Sequence, residues 1–159
     1  MSNFFTLFDN SVLFWSVLSC LLAQFFKIVF NFFSTGKIRF GIIFETGGMP
    51  SSHSALITAA TSGIGLELGF NSPIFALAVA ISLIVMYDAS GVRKSAGIQA
   101  AEINKLSKNL DPKSEVMLKE NLGHTKIEVL VGSFLGPLIT LLGMFFLGSP
   151  IEIFDLIIN

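Results

Sequence analysis

The chain has 159 residues, enough for one domain, and it is 52% hydrophobic against 13% charged, with a mean hydropathy of +0.75. A soluble domain carries about a quarter charged residues, so this chain has too little polar surface to face water all round. A net charge of −1 argues against a nucleic-acid partner, and Cys20, the one cysteine, rules out an intrachain disulfide or a thiolate metal cluster.

A helix needs roughly 20 mostly apolar residues to cross a bilayer core. In chain order the candidate spans are 11–33, 54–70, 74–92 and 127–147. The first has neither a basic lead-in nor a small-residue cleavage site after it, so it reads as a retained anchor. The second is short and rich in small residues. The third is opened by Asn71-Ser72-Pro73, with Ser72 as N-cap and Pro73 as first helical residue. After it comes the long polar segment 93–125, in which Ile98, Ile103, Leu106 and Leu110 form a weak apolar stripe. This segment reads as an amphipathic helix continuing the third span, weak at Gly91 and Gly97 and ended by Asp111-Pro112. A solvated linker would account for the same residues. The tail, 151–158, is too short to span and reads as interfacial. The expectation is an all-α integral membrane protein, one membrane domain over 1–159. It would be a bundle of about four transmembrane helices with a cytoplasmic amphipathic segment.

All ten Lys and Arg fall on one side of this four-span arrangement. The positive-inside rule makes that side cytoplasmic and puts both termini on the other.

Three polar clusters converge on the same side: GGMPSSHS (47–54) before span two, YDASGVRK (87–94) after span three, and GHTKIEVLVG (123–132) before span four. In the first, Gly47 and Gly48 permit close backbone approach, Ser51 or Ser52 can cap the following helix, and His53 stands in its first turn. An exposed helix start suits a phosphate, and a histidine there can protonate a leaving oxygen. A helix cap plus an interfacial histidine is the plainer account. In the third cluster Gly123 precedes His124, which shares a helical face with Glu128 four residues on. A carboxylate so placed fixes the imidazole tautomer and activates it as nucleophile or base. Gly132 and Gly136 extend that face as G-x-x-x-G, matched on span two by Ala55, Ala59 and Gly63. Docking these stripes brings His53 and His124 to similar depth; such faces would also serve a homo-oligomer. In the second cluster Asp88 can orient Arg93 or bind a metal, and Arg93 suits bidentate phosphate contact. Lys27 shares a face with Gln24 inside span one, where intramembrane charge turns to the bundle interior or snorkels to the interface.

These residues resemble a known family. MPSSHSA is similar to the P-S-G-H signature of the type 2 phosphatidic-acid phosphatase superfamily, related to acid phosphatases and vanadium haloperoxidases. GHTKIEVLVGSFLG resembles the end of its third signature. With YDASGVR between them, the chain looks most like the divergent bacterial and plastid branch, from about Gln24 to about Gly136. The resemblance implies a phosphatase or phosphotransferase acting on a membrane lipid phosphate or pyrophosphate, without metal or cofactor and open to vanadate. It makes His124 the nucleophile that becomes phosphohistidine, Glu128 its orienter and His53 the general acid. The PSSH backbone, Ser51 and Ser52 included, would help hold phosphate, with Gly48, Gly123 and Asp88 in support. Ser52 and Glu128 stand where the superfamily has glycine and aspartate, Leu118 where it has arginine, and Ser34 where the first signature would continue from Lys27. The phosphate cations must then come from Arg93, Lys27, Lys37 or Arg39. The competing reading is a catalytically silent relative that binds anionic lipid or a partner membrane protein. A small transporter subunit is weaker, because no polar path crosses the membrane.

Overall fold

The computed structural model describes residues 9–38, 41–42, 47–112 and 117–158, and every regular element among them is helical. In chain order these are α1 (Ser11–Thr35), α2 (Ser52–Leu68), α3 (Pro73–Ser90), α4 (Val92–Leu110), α5 (Lys126–Phe146) and α6 (Pro150–Ile158). Their ends are set by local chemistry. Asn10 caps α1 by accepting the Leu13 N–H at 2.8 Å, and Gly36, at φ 67°, ends it in the left-handed conformation that glycine takes without strain. Ser72 caps α3 through the Phe75 N–H at 3.2 Å, with Pro73 in the first turn. Gly91 breaks the chain between α3 and α4, and Asp111 closes α4 ahead of Pro112.

Three helical stretches, Ser11–Thr35, Pro73–Leu110 and Lys126–Phe146, are long and apolar enough to cross a membrane. The shorter α2 packs against α1, α3 and α5 and so lies at the centre of the bundle. Its composition follows from that position. Lipid tails compete with any large apolar side chain, so helices in a membrane associate by close packing of small residues. Ala55 and Ala59 of α2 are fully buried, as is Ala23 of α1, while large side chains such as Leu21, Phe25, Ile84 and Phe134 point outward. On α5, Gly132 and Gly136 lie directly against the α2 backbone. A Cβ on Gly136 would meet the Ala55 carbonyl, with Thr58 Oγ1 at 2.5 Å and Ala59 N at 2.8 Å. Gly136→Ala should therefore force α2 and α5 apart and cost about 1–3 kcal/mol of stability. Thermal unfolding in detergent reads this as an early transition; an unchanged midpoint would remove the close-packed contact from the account.

The amphipathic segment is a helix, as expected, and its apolar stripe stays exposed. Ile98, Ile103, Leu106 and Leu110 are all exposed, and the buried residues are Gly97, Ala100 and Asn104. What packs there is the backbone of 117–122 rather than a set of side chains. A Cβ on Gly97 would run into the Glu120 carbonyl, with Leu122 N at 3.2 Å. Only small residues admit so close a strand of chain, and Asn104 ties it down. Its amide oxygen accepts the Leu118 N–H at 2.8 Å, and its amide nitrogen donates to the Leu118 carbonyl and to Glu120 Oε1, each at 2.8 Å.

Candidate active site

The start of α5 builds the first half of the site. Thr125 is its N-cap: Thr125 Oγ1 accepts the Glu128 N–H at 3.3 Å, and Glu128 Oε2 accepts the Thr125 N–H at 3.2 Å. The same carboxylate oxygen lies 3.0 Å from His124 Nδ1. A capping box is an ordinary device for starting a helix; here its glutamate also holds an imidazole. With Nδ1–H donating to Glu128, the lone pair is on Nε2. The backbone N–H of His124 donates to the Ala89 carbonyl at 2.9 Å, so the end of α3 holds this residue too.

The start of α2 supplies the second half. Of the two candidate caps, Ser51 is the one used: its hydroxyl accepts the Ser54 N–H at 3.4 Å and the Ser54 hydroxyl at 3.0 Å. Its own N–H donates to the Glu128 carbonyl at 3.1 Å, and its carbonyl lies against Gly132. The two helix starts are thereby docked on each other, and His53 follows in the first turn of α2. His53, Asp88, Arg93 and His124 line one crevice with Val85 and Ala89. Its volume is about 20 Å³, room for about one water molecule. Across its mouth, Arg93 Nε is 2.5 Å from Asp88 Oδ2, an ion pair with both side chains partly exposed. Asp88 therefore engages Arg93, as either an orienting carboxylate or a plain internal ion pair would.

Lys27 is 2% exposed although it belongs to a membrane-spanning helix. It faces the bundle interior rather than snorkelling out, and its charge acts on both histidines. Burial lowers the His124 pKa; Lys27 and His53 lower it further, while the hydrogen bond and charge of Glu128 oppose them. The His53 pKa is also lowered, by burial first and then by Arg93 and Lys27. Both imidazoles are thus held towards the neutral form relative to an ordinary histidine.

Gly48 and Gly123 line a neighbouring groove of about 530 Å³, together with Lys94, Glu120, Thr125 and Glu128. Neither Ser51 nor Ser52 lines the crevice; both are buried at the helix start. Lys37 is exposed beyond α1, and Arg39 lies outside the described residues. Two contributors escaped the sequence reading. The Ala89 carbonyl carries no side-chain signal at all. Asn104 does leave one, because Gly97, Ala100 and Asn104 follow each other at three and four residues and mark a narrow face for close packing.

Comparison with known proteins places these residues in context. The family described as Divergent PAP2 family matches residues 8–139. The uncharacterized membrane protein YuiD of Bacillus subtilis (strain 168) is 38% identical over 154 residues, which cover 88% of this chain and 98% of that protein. No solved structure matches the chain significantly.

Proposed function

The chain belongs to the divergent PAP2 family of membrane proteins, and from that premise we propose that it is a phosphatase or phosphotransferase acting on a lipid phosphate or pyrophosphate. The observation that carries this reading is the shared crevice: His53, His124, Asp88 and Arg93 come from three separate parts of the chain and line it together.

In this mechanism the lipid phosphate enters with its tail among the helices. Arg93 leaves Asp88 to take the phosphate oxygens, which opens the narrow crevice, and Lys27 balances the remaining negative charge from below. His124 Nε2 attacks phosphorus while Glu128 holds Nδ1–H and stabilises the developing imidazolium. The bond from phosphorus to the leaving oxygen breaks, and His53 delivers its proton there. Water then attacks the phosphohistidine, giving its proton to His53 and releasing phosphate; an acceptor alcohol in place of water makes the same step a transfer. With the cationic loops on the cytoplasmic side, the reaction faces the cytoplasm.

Phosphate release by the purified protein from a panel of lipid phosphates and pyrophosphates, with chelator present, tests the reading. Turnover inhibited by vanadate and lost in His124→Ala supports it. Absence of turnover on the whole panel would favour the silent relative, in which the same residues hold the helix starts in register.

The pH profile gives a second check. The reaction needs neutral His124 and protonated His53, so kcat/KM of the free enzyme rises through one pKa and falls through the other. Both lie below the ordinary histidine value of about 6.5, which puts the optimum on the acid side of that value. Glu128→Gln removes the charge that raises the His124 pKa and leaves only a neutral hydrogen bond, so the limb assigned to His124 should move to still lower pH as the maximal rate falls. An optimum well above neutrality would contradict the assignment.

A further inference from the structure

Helix α4 has three faces, and only one of them is used by the fold. Gly97, Ala100 and Asn104 pack on the 117–122 backbone. At 3.6 residues per turn, Val92, Ala96, Ile103, Leu106 and Leu110 fall within a sector of about 80°, with Gln99 the one polar residue among them. Val92, Ile103, Leu106 and Leu110 in that sector are 62%, 51%, 59% and 85% exposed. On the opposite side, within about 60°, lie Lys94, Lys105 and Lys108. The helix carries four cations against one carboxylate, Glu102.

We propose that α4 lies along the lipid–water boundary on the cationic side of the bundle. Its apolar stripe dips into the acyl region, and its lysines meet water and anionic headgroups. Two observations choose lipid over a protein partner. First, the stripe continues the lipid-facing surface of α3: Val92 shares one shallow depression with Leu83, Ile84 and Tyr87, all of them exposed. Asp88 also borders this depression. Second, an apolar stripe opposite a lysine face is the pattern of a helix embedded in the membrane surface, where long lysine side chains reach outward to the headgroups. Ile98 does not join the stripe; it lines the groove beside the crevice.

The placement has a consequence for the site. Asn104 fastens α4 to Leu118 and Glu120, a few residues before His124. A helix anchored at the boundary therefore sets the depth at which the segment leading to His124 is held.

The test uses the full chain in vesicles of phosphatidylcholine and phosphatidylglycerol, with Cys20→Ala as background. An environment-sensitive fluorophore is attached in turn to Leu106→Cys, Leu110→Cys and Lys108→Cys. These positions are exposed, so labelling removes no packing, and emission from Trp15, the one tryptophan and a buried one, reports on the fold. Labels at 106 and 110 should show blue-shifted emission that is lost when brominated acyl chains are included; the label at 108 should show neither. Lys105→Glu with Lys108→Glu should reduce the blue shift at 106 in anionic vesicles and leave it unchanged in purely zwitterionic ones. Water-like emission at 106 and 110 would overturn the proposal. So would shielding that ignores brominated lipid and vanishes as protein is diluted in the vesicles, which would assign the stripe to a second copy of the chain.

Discussion

His124→Ala should reduce phosphate release from a lipid phosphate to background, a loss of about ten thousandfold or more, on the scale of deleting a covalent nucleophile. The size of the effect follows from the geometry. Glu128 occupies Nδ1, so Nε2 is the ring atom available to attack; His53 would be needed as acid and base, Arg93 does not give up its proton, and Asp88 is engaged by Arg93. The substitution should spare the fold. The backbone N–H of His124 holds the Ala89 carbonyl whatever the side chain, and Glu128 keeps the Thr125 N–H as a partner. Unfolding measured beside turnover separates the two effects. Turnover that survives in a folded His124→Ala protein would end the phosphohistidine mechanism.

Lys27→Met should lower kcat/KM by about a hundred- to a thousandfold, the usual consequence of removing one electrostatic contact to the transition state. Leu118 stands where the superfamily has an arginine, and the first signature does not continue past Lys27. Arg93 is the cation on the crevice, and Lys27 is the cation buried close enough for its charge to act on both histidines. Methionine keeps most of the length of the lysine stem and removes the charge. Unfolding measured beside turnover separates loss of the charge at the site from loss of stability. Removing Lys27 also removes one cause of the low His124 pKa, so the His124 limb of the pH profile should shift towards higher pH. A merely structural lysine would not produce the rate loss in a folded protein. Full activity in Lys27→Met would return the phosphate to Arg93 alone.

Much of this architecture is local and therefore legible in the residues. Hydropathy marked four apolar runs, and α1, α2, α3 and α5 begin and end within two residues of them. Asn71-Ser72-Pro73 announced the start of α3, and Asp111-Pro112 the end of α4. His124 and Glu128 could be paired because spacing of four on a helix start is a short-range geometry. The small residues at 132 and 136, and at 55, 59 and 63, told which faces would dock.

Other choices depended on what arrives from elsewhere in the chain. Ser51 and Ser52 are equal as caps in a string of letters; Ser51 caps because its N–H also meets the Glu128 carbonyl of another helix. Lys27 could have snorkelled or turned inward, and only the packing of α1 in the bundle decides between them. The residues of α4 showed an apolar stripe without saying what it meets, and the backbone at 117–122 packs on the narrow glycine side instead. The sequence by itself determined the class of protein, the apolar helical runs, the cap of α3 and the pairing of His124 with Glu128, since each rests on composition or on neighbours a turn apart. Tertiary structure alone decided which polar groups share a crevice, which cation is buried beside them and which face of α4 stays open, because each is settled by contact between segments far apart in the chain.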